Sequence, residues 1–264
     1  MPVTIDKTDH VWTIIHARPD ARGAMDTKHA KALVAAFEDF EGSDAHVAVL
    51  SGADGYFCAG WDLELAASLQ DDAKREAYFD EIDIHTEKRG ALGPTRLALS
   101  KPVIAAVEGP AVAGGMELAL WADCRVMAAS AYMGVYCRRW GITLMDGGSV
   151  RLPRLVGQGR ALEIAMTGRK VTAEECERLG LAERVVPEGQ ARAAAEAMAH
   201  EIARFPQEAV RADRANIIAS RSMSVRDGLV REWENGLAAI TNEGAKGAGR
   251  FVAGAGRSGD FYNI

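Results

Sequence analysis

The strongest candidates for catalytic residues lie in the segment 101–120, which reads KPVIAAVEGPAVAGGMELAL. Residues 103–107 form a short apolar run rich in β-branched side chains and predict a fully buried strand. After a turn, Gly114-Gly115 opens an apolar helix, and Glu117 follows on the same helix face as Gly114. Glycines at a helix N-terminus permit positive φ and expose backbone N–H groups where the helix dipole favours negative charge. The pattern predicts half of an oxyanion hole with a carboxylate beside it.

Taken alone, this stretch favours a second interpretation, a glycine-rich turn between strand and helix with a solvated Glu117. Two further segments lie at characteristic distances from it: YFCAGWDL at residues 56–63 and RLPRLVGQGRALEIAMTGRKVTAEECERLGLAERVVP at residues 151–187. Together the three segments resemble the enoyl-CoA hydratase/isomerase (crotonase) family, in order, from about Val11 to Pro187. The combination favours the catalytic interpretation of Glu117.

The resemblance implies an α/β fold, a crotonase-like spiral of ββα units with a C-terminal helical oligomerisation segment. The expected division is a core over residues 1–195, which holds a CoA-thioester site, and a helical segment over residues 196–264. In the family, the C-terminal segment builds trimers and hexamers. We therefore expect a homo-trimer or a hexamer, without a preference between them.

The resemblance also implies the site residues. The two oxyanion donors are expected to be the backbone amides of Trp61 and Gly114, which would stabilise the oxygen of a thioester carbonyl as it becomes an enolate. Contacts with coenzyme A are expected from Arg22, Ala59, Asp62 and Phe251. A solvated loop arginine is an equally good interpretation of Arg22, and Gly254 stands where a phosphate-binding lysine is expected one turn after Phe251.

The chain departs from the family at the second catalytic carboxylate, because Cys137 occupies the position of that glutamate. A thiol with an ordinary pKa is a poor acid or base at neutral pH unless neighbouring cations lower its pKa. Arg138 and Arg139 are the candidates for that effect. The favoured interpretation of Cys137 is a small buried side chain.

Asp146, in the sequence Met-Asp-Gly-Gly at residues 145–148, is the nearest substitute for the missing carboxylate. Related dehalogenases and dienoyl-CoA isomerases carry an active-site aspartate in this turn, one residue earlier in our alignment. The alternative is that Asp146 caps the helix that begins there, since aspartate before glycines favours turns and caps. Catalysis and capping are left open, and one carboxylate can do both.

The elements that must position these residues follow from hydrophobic periodicity. Strands are predicted at residues 11–15, 46–50, 103–107 and 124–127, with an edge strand at residues 181–186. A helix is predicted from near Asp26 with Leu33, Phe37 and Phe40 on its buried face. A second helix, between Gly157 and Gly168, is predicted to bury Leu162, Ile164, Ala165 and Met166. Residues 65–99 are predicted to be helix-rich and, by resemblance, to line the acyl tunnel, and residues 191–253 are helical in pattern.

Composition restricts the partners. A net charge of −6 over 264 residues argues against a nucleic-acid surface, so phosphates of coenzyme A must meet a local basic cluster. The four cysteines show no metal-ligand spacing, which predicts no metal site, no disulfide framework and a reducing, cytoplasmic location. No apolar run reaches membrane-spanning length, and no signal peptide is visible, so no membrane partner is expected. No cofactor is expected beyond the coenzyme A of the substrate.

The function expected from these residues is that of an acyl-CoA enzyme, nominally an enoyl-CoA hydratase that adds water to a 2-enoyl-CoA. Glu117 would act as general base or acid and Asp146 as the second acid. Two other classes stay open: an isomerase or other CoA-thioester enzyme that uses Asp146 differently, and a non-catalytic acyl-CoA-binding protein. The acyl-chain length and the pathway have no readable signal in the sequence.

Overall fold

The computed structural model of the chain describes residues 1–86 and 89–264. The strands are β1 (Val3–Thr8), β2 (Val11–His16), β3 (Val47–Gly52), β4 (Val103–Val107), β5 (Pro110–Val112), β6 (Cys124–Ala128), β7 (Tyr132–Gly134), β8 (Val171–Thr172) and β9 (Arg184–Val186). The α-helices are α1 (Thr27–Gly42), α2 (Leu63–Ser68), α3 (Asp72–Glu81), α4 (Gly114–Trp121), α5 (Gly148–Val156), α6 (Gln158–Thr167), α7 (Ala173–Leu179), α8 (Ala191–Ala203), α9 (Gln207–Ser220), α10 (Val225–Ala239) and α11 (Ala245–Val252). Short 3₁₀ helices span Pro19–Ala21, Pro94–Arg96, Tyr136–Trp140 and Arg257–Gly259, and a π-helix spans Ile240–Gly244.

The chain forms two compact units, Met1–His200 and Glu201–Ile264. The boundary predicted after residue 195 falls within α8, a few residues before this division. The first unit contains a six-stranded sheet and a three-stranded sheet of order β5-β7-β8, and the second unit consists of helices. The segment predicted to be helix-rich at residues 65–99 contains α3 and the turn at Pro94–Arg96, while Glu87 and Lys88 lie outside the described residues.

A six-stranded sheet with the order β1-β2-β3-β4-β6-β9 organises the first unit. β1 is antiparallel to β2, and the remaining neighbours are parallel. All five residues of β4 are buried, as expected of a central parallel strand covered on both faces. The loops that follow β3 and β4 leave the same edge of the sheet, because parallel strands end there together. That edge positions the loop that contains Trp61 and the turn that leads into α4.

Most predicted elements are confirmed, with small shifts at their ends. α1 begins after Asp26, whose carboxylate accepts a hydrogen bond from His29 N at 2.8 Å, and Leu33, Phe37 and Phe40 are fully buried. β4 has the predicted bounds, and β9 forms one edge of the sheet. Helices α8 to α11 confirm the helical pattern predicted for residues 191–253.

One burial prediction is wrong. In α6, Leu162 and Met166 are 47% and 67% exposed and Ala165 is only partly buried, whereas Ile164 is fully buried. Leu162 and Met166 lie four residues apart and form a stripe of their own, turned away from the face that packs on the core. The apolar residues of α6 extend over more than one helix face, so counting all of them as buried predicts too many buried residues.

No helix in the described ranges combines the length and the apolar character that crossing a bilayer requires.

Candidate active site

A cavity of about 420 Å³ lies in the first unit, beside the carboxyl edge of the large sheet. Its wall includes Trp61, Gly114, Glu117, Cys137 and Asp146, so the fold brings residues that are distant in sequence to one cavity. Part of the segment predicted to form the acyl tunnel also lines it, through Tyr78, Phe79, Ile82, Ala91 and Leu92. Six aromatic side chains face the cavity: Trp61, Tyr78, Phe79, Tyr132, Tyr136 and Trp140.

The amides of Trp61 and Gly114 lie on two loops in close contact. A Cβ atom placed on Gly60 would lie 3.0 Å from Gly114 N and 2.9 Å from Val112 O, so only glycine lets the loops approach. Gly60 O accepts a hydrogen bond from Met25 N at 2.8 Å, and Asp62 N donates to Met25 O at 3.0 Å. This pairing turns the Trp61 N–H to the opposite side of its strand-like segment. Gly114 N–H belongs to the first helical turn, where no intrahelical acceptor exists.

The glycine pair at the start of α4 is needed for space and not for positive φ, which corrects the reason given by the sequence pattern. A Cβ on Gly114 would lie 2.5 Å from Leu92 Cδ2, and one on Gly115 would lie 2.0 Å from Cys58 O. The positive φ belongs to the preceding residue, Ala113, at 53°. A non-glycine residue in that conformation is strained, and such strain is typical of functional turns.

Glu117 is buried, with 3% of its surface exposed, which contradicts the interpretation as a solvated side chain. Its Oε1 accepts hydrogen bonds from Asp146 N at 2.9 Å and Gly148 N at 2.8 Å. Burial, reinforced by the nearby Asp146 carboxylate, raises the pKa of Glu117 to about 7. A carboxyl with this pKa can give or take a proton near neutral pH.

Asp146 is equally buried, and it does not cap α5. Gly147 is the N-cap residue of that helix and contributes no side chain, so the capping interpretation is wrong. Asp146 Oδ1 instead accepts hydrogen bonds from Leu92 N at 3.2 Å and from the Thr95 hydroxyl. Burial raises the pKa of Asp146, while the two hydrogen bonds act in the opposite direction.

Cys137 lies at the cavity wall with 6% of its surface exposed. Burial, followed by the charge of Glu117, raises the pKa of its thiol, and Arg138 offsets this only partly. The Arg138 Nε donates to Ala165 O at 3.1 Å, and the Arg139 guanidinium lies over the rings of Tyr136 and Trp140. The idea of a thiol activated by these arginines is therefore wrong, and Cys137 is a small neutral side chain.

The residues expected to contact coenzyme A lie in different surroundings. Arg22 and Ala59 line the cavity and are adjacent, since Ala59 N donates to Arg22 O at 3.2 Å. Asp62 is 8% exposed, accepts from Glu64 N at 2.8 Å at the start of α2, and forms an ion pair with Arg18 at 2.7 Å. Phe251 lies in α11 of the second unit and is 58% exposed, and its contact with coenzyme A stays a prediction.

Three contributions to this site have no signal in the sequence: the Thr95 hydroxyl, the Leu92 amide and Arg151. Arg151 donates to Asp146 O at 2.8 Å and to Thr95 O at 2.7 Å. Thr95 and Asp146 are 51 positions apart, and nothing in the run Gly-Pro-Thr-Arg at residues 93–96 indicates a buried partner. In the described ranges, no group of three or more His, Cys, Asp or Glu side chains is placed to hold a metal.

Comparisons with known proteins identify the family of the chain. The sequence pattern of the enoyl-CoA hydratase/isomerase family matches residues 6–252. The chain is 33% identical over 257 residues to an enoyl-CoA hydratase of Mycobacterium tuberculosis, covering 94% of this chain and 92% of the relative. It is 37% identical over 215 residues to the carnitinyl-CoA dehydratase of Salmonella arizonae, covering 80% and 78% of the two chains.

Solved structures of related proteins have the same fold as this chain. The crystal structure of an enoyl-CoA hydratase from Mycobacterium tuberculosis superimposes with a TM-score of 0.85 at 33% identity, covering 96% of each chain. An enoyl-CoA hydratase subunit from Geobacillus kaustophilus gives a TM-score of 0.86 at 29% identity, covering 96% of this chain and 95% of the other. These matches confirm the predicted crotonase-like α/β fold, and the chain belongs to the enoyl-CoA hydratase/isomerase family of lyases and isomerases.

Proposed function

We propose that the protein is an enoyl-CoA hydratase that adds water across the 2,3 double bond of an acyl-CoA thioester. The thioester oxygen would lie between the amides of Trp61 and Gly114, which stabilise the enolate charge that develops there. One such donor typically contributes about 3–4 kcal/mol in the transition state. Both amides are backbone groups, so the proposal tolerates the large Trp61 side chain, whose indole stacks on Tyr78 with ring centroids 5.7 Å apart.

The two carboxyls would divide the acid and base roles. Glu117 has a pKa of about 7 and so can hold a proton at neutral pH. Burial raises the pKa of Asp146, and the two hydrogen bonds that its Oδ1 accepts oppose this shift by favouring the ionised carboxylate. In the hydration step, Asp146 takes a proton from water as the hydroxyl adds to the β-carbon, and Glu117 gives its proton to the α-carbon. The proton then returns from Asp146 to Glu117 before the next turnover.

The observation that carries this proposal is the pair of buried carboxyls, both 3% exposed, on a cavity wall that Trp61 and Gly114 also line. The pair supplies the second carboxylate that Cys137 does not. Arg22, at the cavity and exposed to solvent, is the candidate contact for the phosphates of coenzyme A. An acyl-CoA thioester is accordingly the proposed substrate class.

The test measures hydration of crotonyl-CoA and deuterium incorporation at the α-carbon of butyryl-CoA in D₂O, with the wild-type protein and two variants. Glu117→Gln should abolish both signals, because the same carboxyl serves the α-carbon in each. Asp146→Asn should lower hydration by about 10²–10⁴-fold and retain α-carbon exchange, which needs no activated water. Full hydration by Glu117→Gln would refute the assignment.

Other outcomes assign the protein to the remaining classes. Binding of acyl-CoA with neither hydration nor exchange indicates a non-catalytic binding protein, and exchange without hydration in the wild type indicates an isomerase or another thioester enzyme. The names of several relatives make carnitinyl-CoA a second substrate to assay in the dehydration direction. Microscopic reversibility gives the same two carboxyls the reverse roles in that reaction.

A further inference from the structure

Thr95 lies in the 3₁₀ turn Pro94–Arg96 and is 1% exposed, yet it has no part in the roles assigned above. Its hydroxyl makes a hydrogen bond to Asp146 Oδ1, the oxygen that also accepts from Leu92 N at 3.2 Å. Gly90 makes room for this contact, because a Cβ there would lie 1.8 Å from Asp146 Oδ1 and 2.4 Å from Thr95 Oγ1. The hydroxyl and the carboxylate thus occupy a space that any side chain at residue 90 would fill.

We propose that Thr95 is the positioning residue for Asp146, holding Oδ1 so that Oδ2 alone exchanges a proton with water at the cavity. The inference rests on the role proposed for Asp146. Oδ1 receives two donors, which is the usual capacity of one carboxylate oxygen, and a proton added to the group is therefore directed to Oδ2. A hydroxyl that donates to a carboxylate also favours its ionised form, the form required of a base.

Arg151 makes this arrangement rigid. Its two terminal nitrogens donate to the backbone oxygens of Asp146, at 2.8 Å, and of Thr95, at 2.7 Å. The loop before α5 and the turn at Pro94–Arg96 are therefore joined by the side-chain contact and by the guanidinium bridge. Because both the backbone oxygen and Oδ1 of Asp146 are hydrogen-bonded, its carboxylate loses little conformational freedom when the substrate binds.

The pH dependence of Asp146 depends on the charged groups of the elements packed against it. Glu117 from α4 is a like charge, whereas Arg96 from the same turn and Arg151 from α5 are opposite charges. Tyr78 from α3 and Cys58, from the loop after β3, are neutral neighbours at pH 7, because burial raises the pKa of each to about 12. Loss of the Thr95 hydroxyl leaves these charges in place and removes one donor, so the pKa of Asp146 should rise.

The experiment compares Thr95→Val, which keeps the shape and loses the hydroxyl, with Thr95→Ser, which keeps the hydroxyl. We expect Thr95→Val to lower kcat for crotonyl-CoA hydration about 10- to 100-fold, the usual effect of one hydrogen bond to a charged group. The acidic limb of its pH profile for kcat/KM should move to higher pH. Thr95→Ser should restore the wild-type limb. Thr13→Val is the matched control, since Thr13 is also buried and donates to a carboxylate, Glu196, at 2.8 Å.

The outcomes distinguish a failure of the inference about Thr95 from a failure of the role proposed for Asp146. Wild-type kcat and pH profile in Thr95→Val, together with loss of hydration in Asp146→Asn, overturn this inference and leave the proposed function intact. Full hydration by Asp146→Asn overturns the role of Asp146 itself, and the inference with it. If Thr95→Val does not fold, Thr95→Cys and Thr95→Ser are compared, because they differ little in size and strongly in hydrogen-bond donation. Equal pH profiles in that pair also overturn the inference.

Discussion

The ionisation of Glu117 is linked to that of Asp146, because both carboxyls are buried and the charge of Asp146 raises the pKa of Glu117. The charge of Asp146 is one of the two causes that raise the pKa of Glu117 to about 7, after burial. A pair of this kind holds one proton over a range of pH between its two ionisations. The singly protonated pair is the form that can give one proton and take another in the same step.

The raised pKa predicts opposite pH dependences for two reactions of the same carboxyl. In the proposed mechanism hydration uses protonated Glu117, so kcat/KM for hydration should fall as pH rises above about 7. Exchange at the α-carbon of butyryl-CoA uses ionised Glu117 as a base, so its rate should rise through the same pH. Parallel rate profiles for the two reactions measure this directly.

The variant Asp146→Asn tests whether the charge of Asp146 helps to raise the pKa of Glu117. It removes the neighbouring negative charge, which should lower the pKa of Glu117 and move the midpoint of the exchange profile to lower pH. An unchanged midpoint in this variant would contradict the coupling between the two carboxyls.

The favoured sequence interpretation of Cys137, a small buried side chain, is confirmed, and the alternative of a thiol activated by its neighbours is wrong. Two arginines follow it directly, and a lowered thiol pKa is a reasonable expectation from that spacing. Both guanidinium groups are turned to other partners, and burial raises the pKa of the thiol. The direction of the shift depends on where the charges point.

At the scale of elements, α4 begins where the loops after β3 and β4 meet. Gly60 and Gly115 both lie where a Cβ would collide with the backbone of the other loop. The close approach of the loops limits how far apart the amides of Trp61 and Gly114 can lie, and so limits the size of the proposed oxyanion hole. The precision of this space is a property of the paired loops and not of either one.

Gly115→Ala should damage this geometry, because its Cβ would lie 2.0 Å from Cys58 O and the loop must shift. A displacement of about 1 Å at a reacting centre can reduce the rate about 100-fold, and we expect a loss of that order in kcat. Thermal unfolding should show a destabilised but folded protein, and acyl-CoA hydration provides the readout.

Gly159→Ala in α6 is the matched control for a helical glycine, since nothing lies within 4 Å of a Cβ there. It should stabilise the fold by about 0.5–1 kcal/mol through helix propensity and leave activity unchanged. Equal activity in the two alanine variants would show that the contact at Gly115 is unimportant.

At the scale of the whole molecule, the second unit carries apolar side chains that face solvent. Val225, Leu229, Trp233 and Leu237 recur every four residues along α10 and are between 49% and 82% exposed. A contiguous apolar stripe of this kind is typical of a protein–protein interface. We propose that it takes part in a homo-trimer or hexamer, and a cytoplasmic location likewise stays a prediction.

Trp233→Asp should weaken such an assembly, because it places a charge in the middle of the apolar stripe on α10. Size-exclusion chromatography with light scattering should give a smaller particle than the wild type at equal concentration. Met166→Asp in the first unit is the control, because Met166 is 67% exposed and Trp233 is 70% exposed. A monomeric wild-type protein, or equal masses for Trp233→Asp and wild type, would contradict this assignment of α10.

Sequence patterns were enough to identify the family, the strand β4, the helix α1 with its buried face, and the position of Glu117 just after a glycine-rich turn. These features depend on local periodicity and on motifs, which are properties of neighbouring residues. The three-dimensional packing was needed to show that Asp146 bonds to Thr95 and does not cap α5, that the pKa of the Cys137 thiol is raised, and that Leu162 and Met166 are exposed. Those outcomes depend on which distant segments pack together and on the charges and free volume they bring, and single-sequence periodicity contains no record of either.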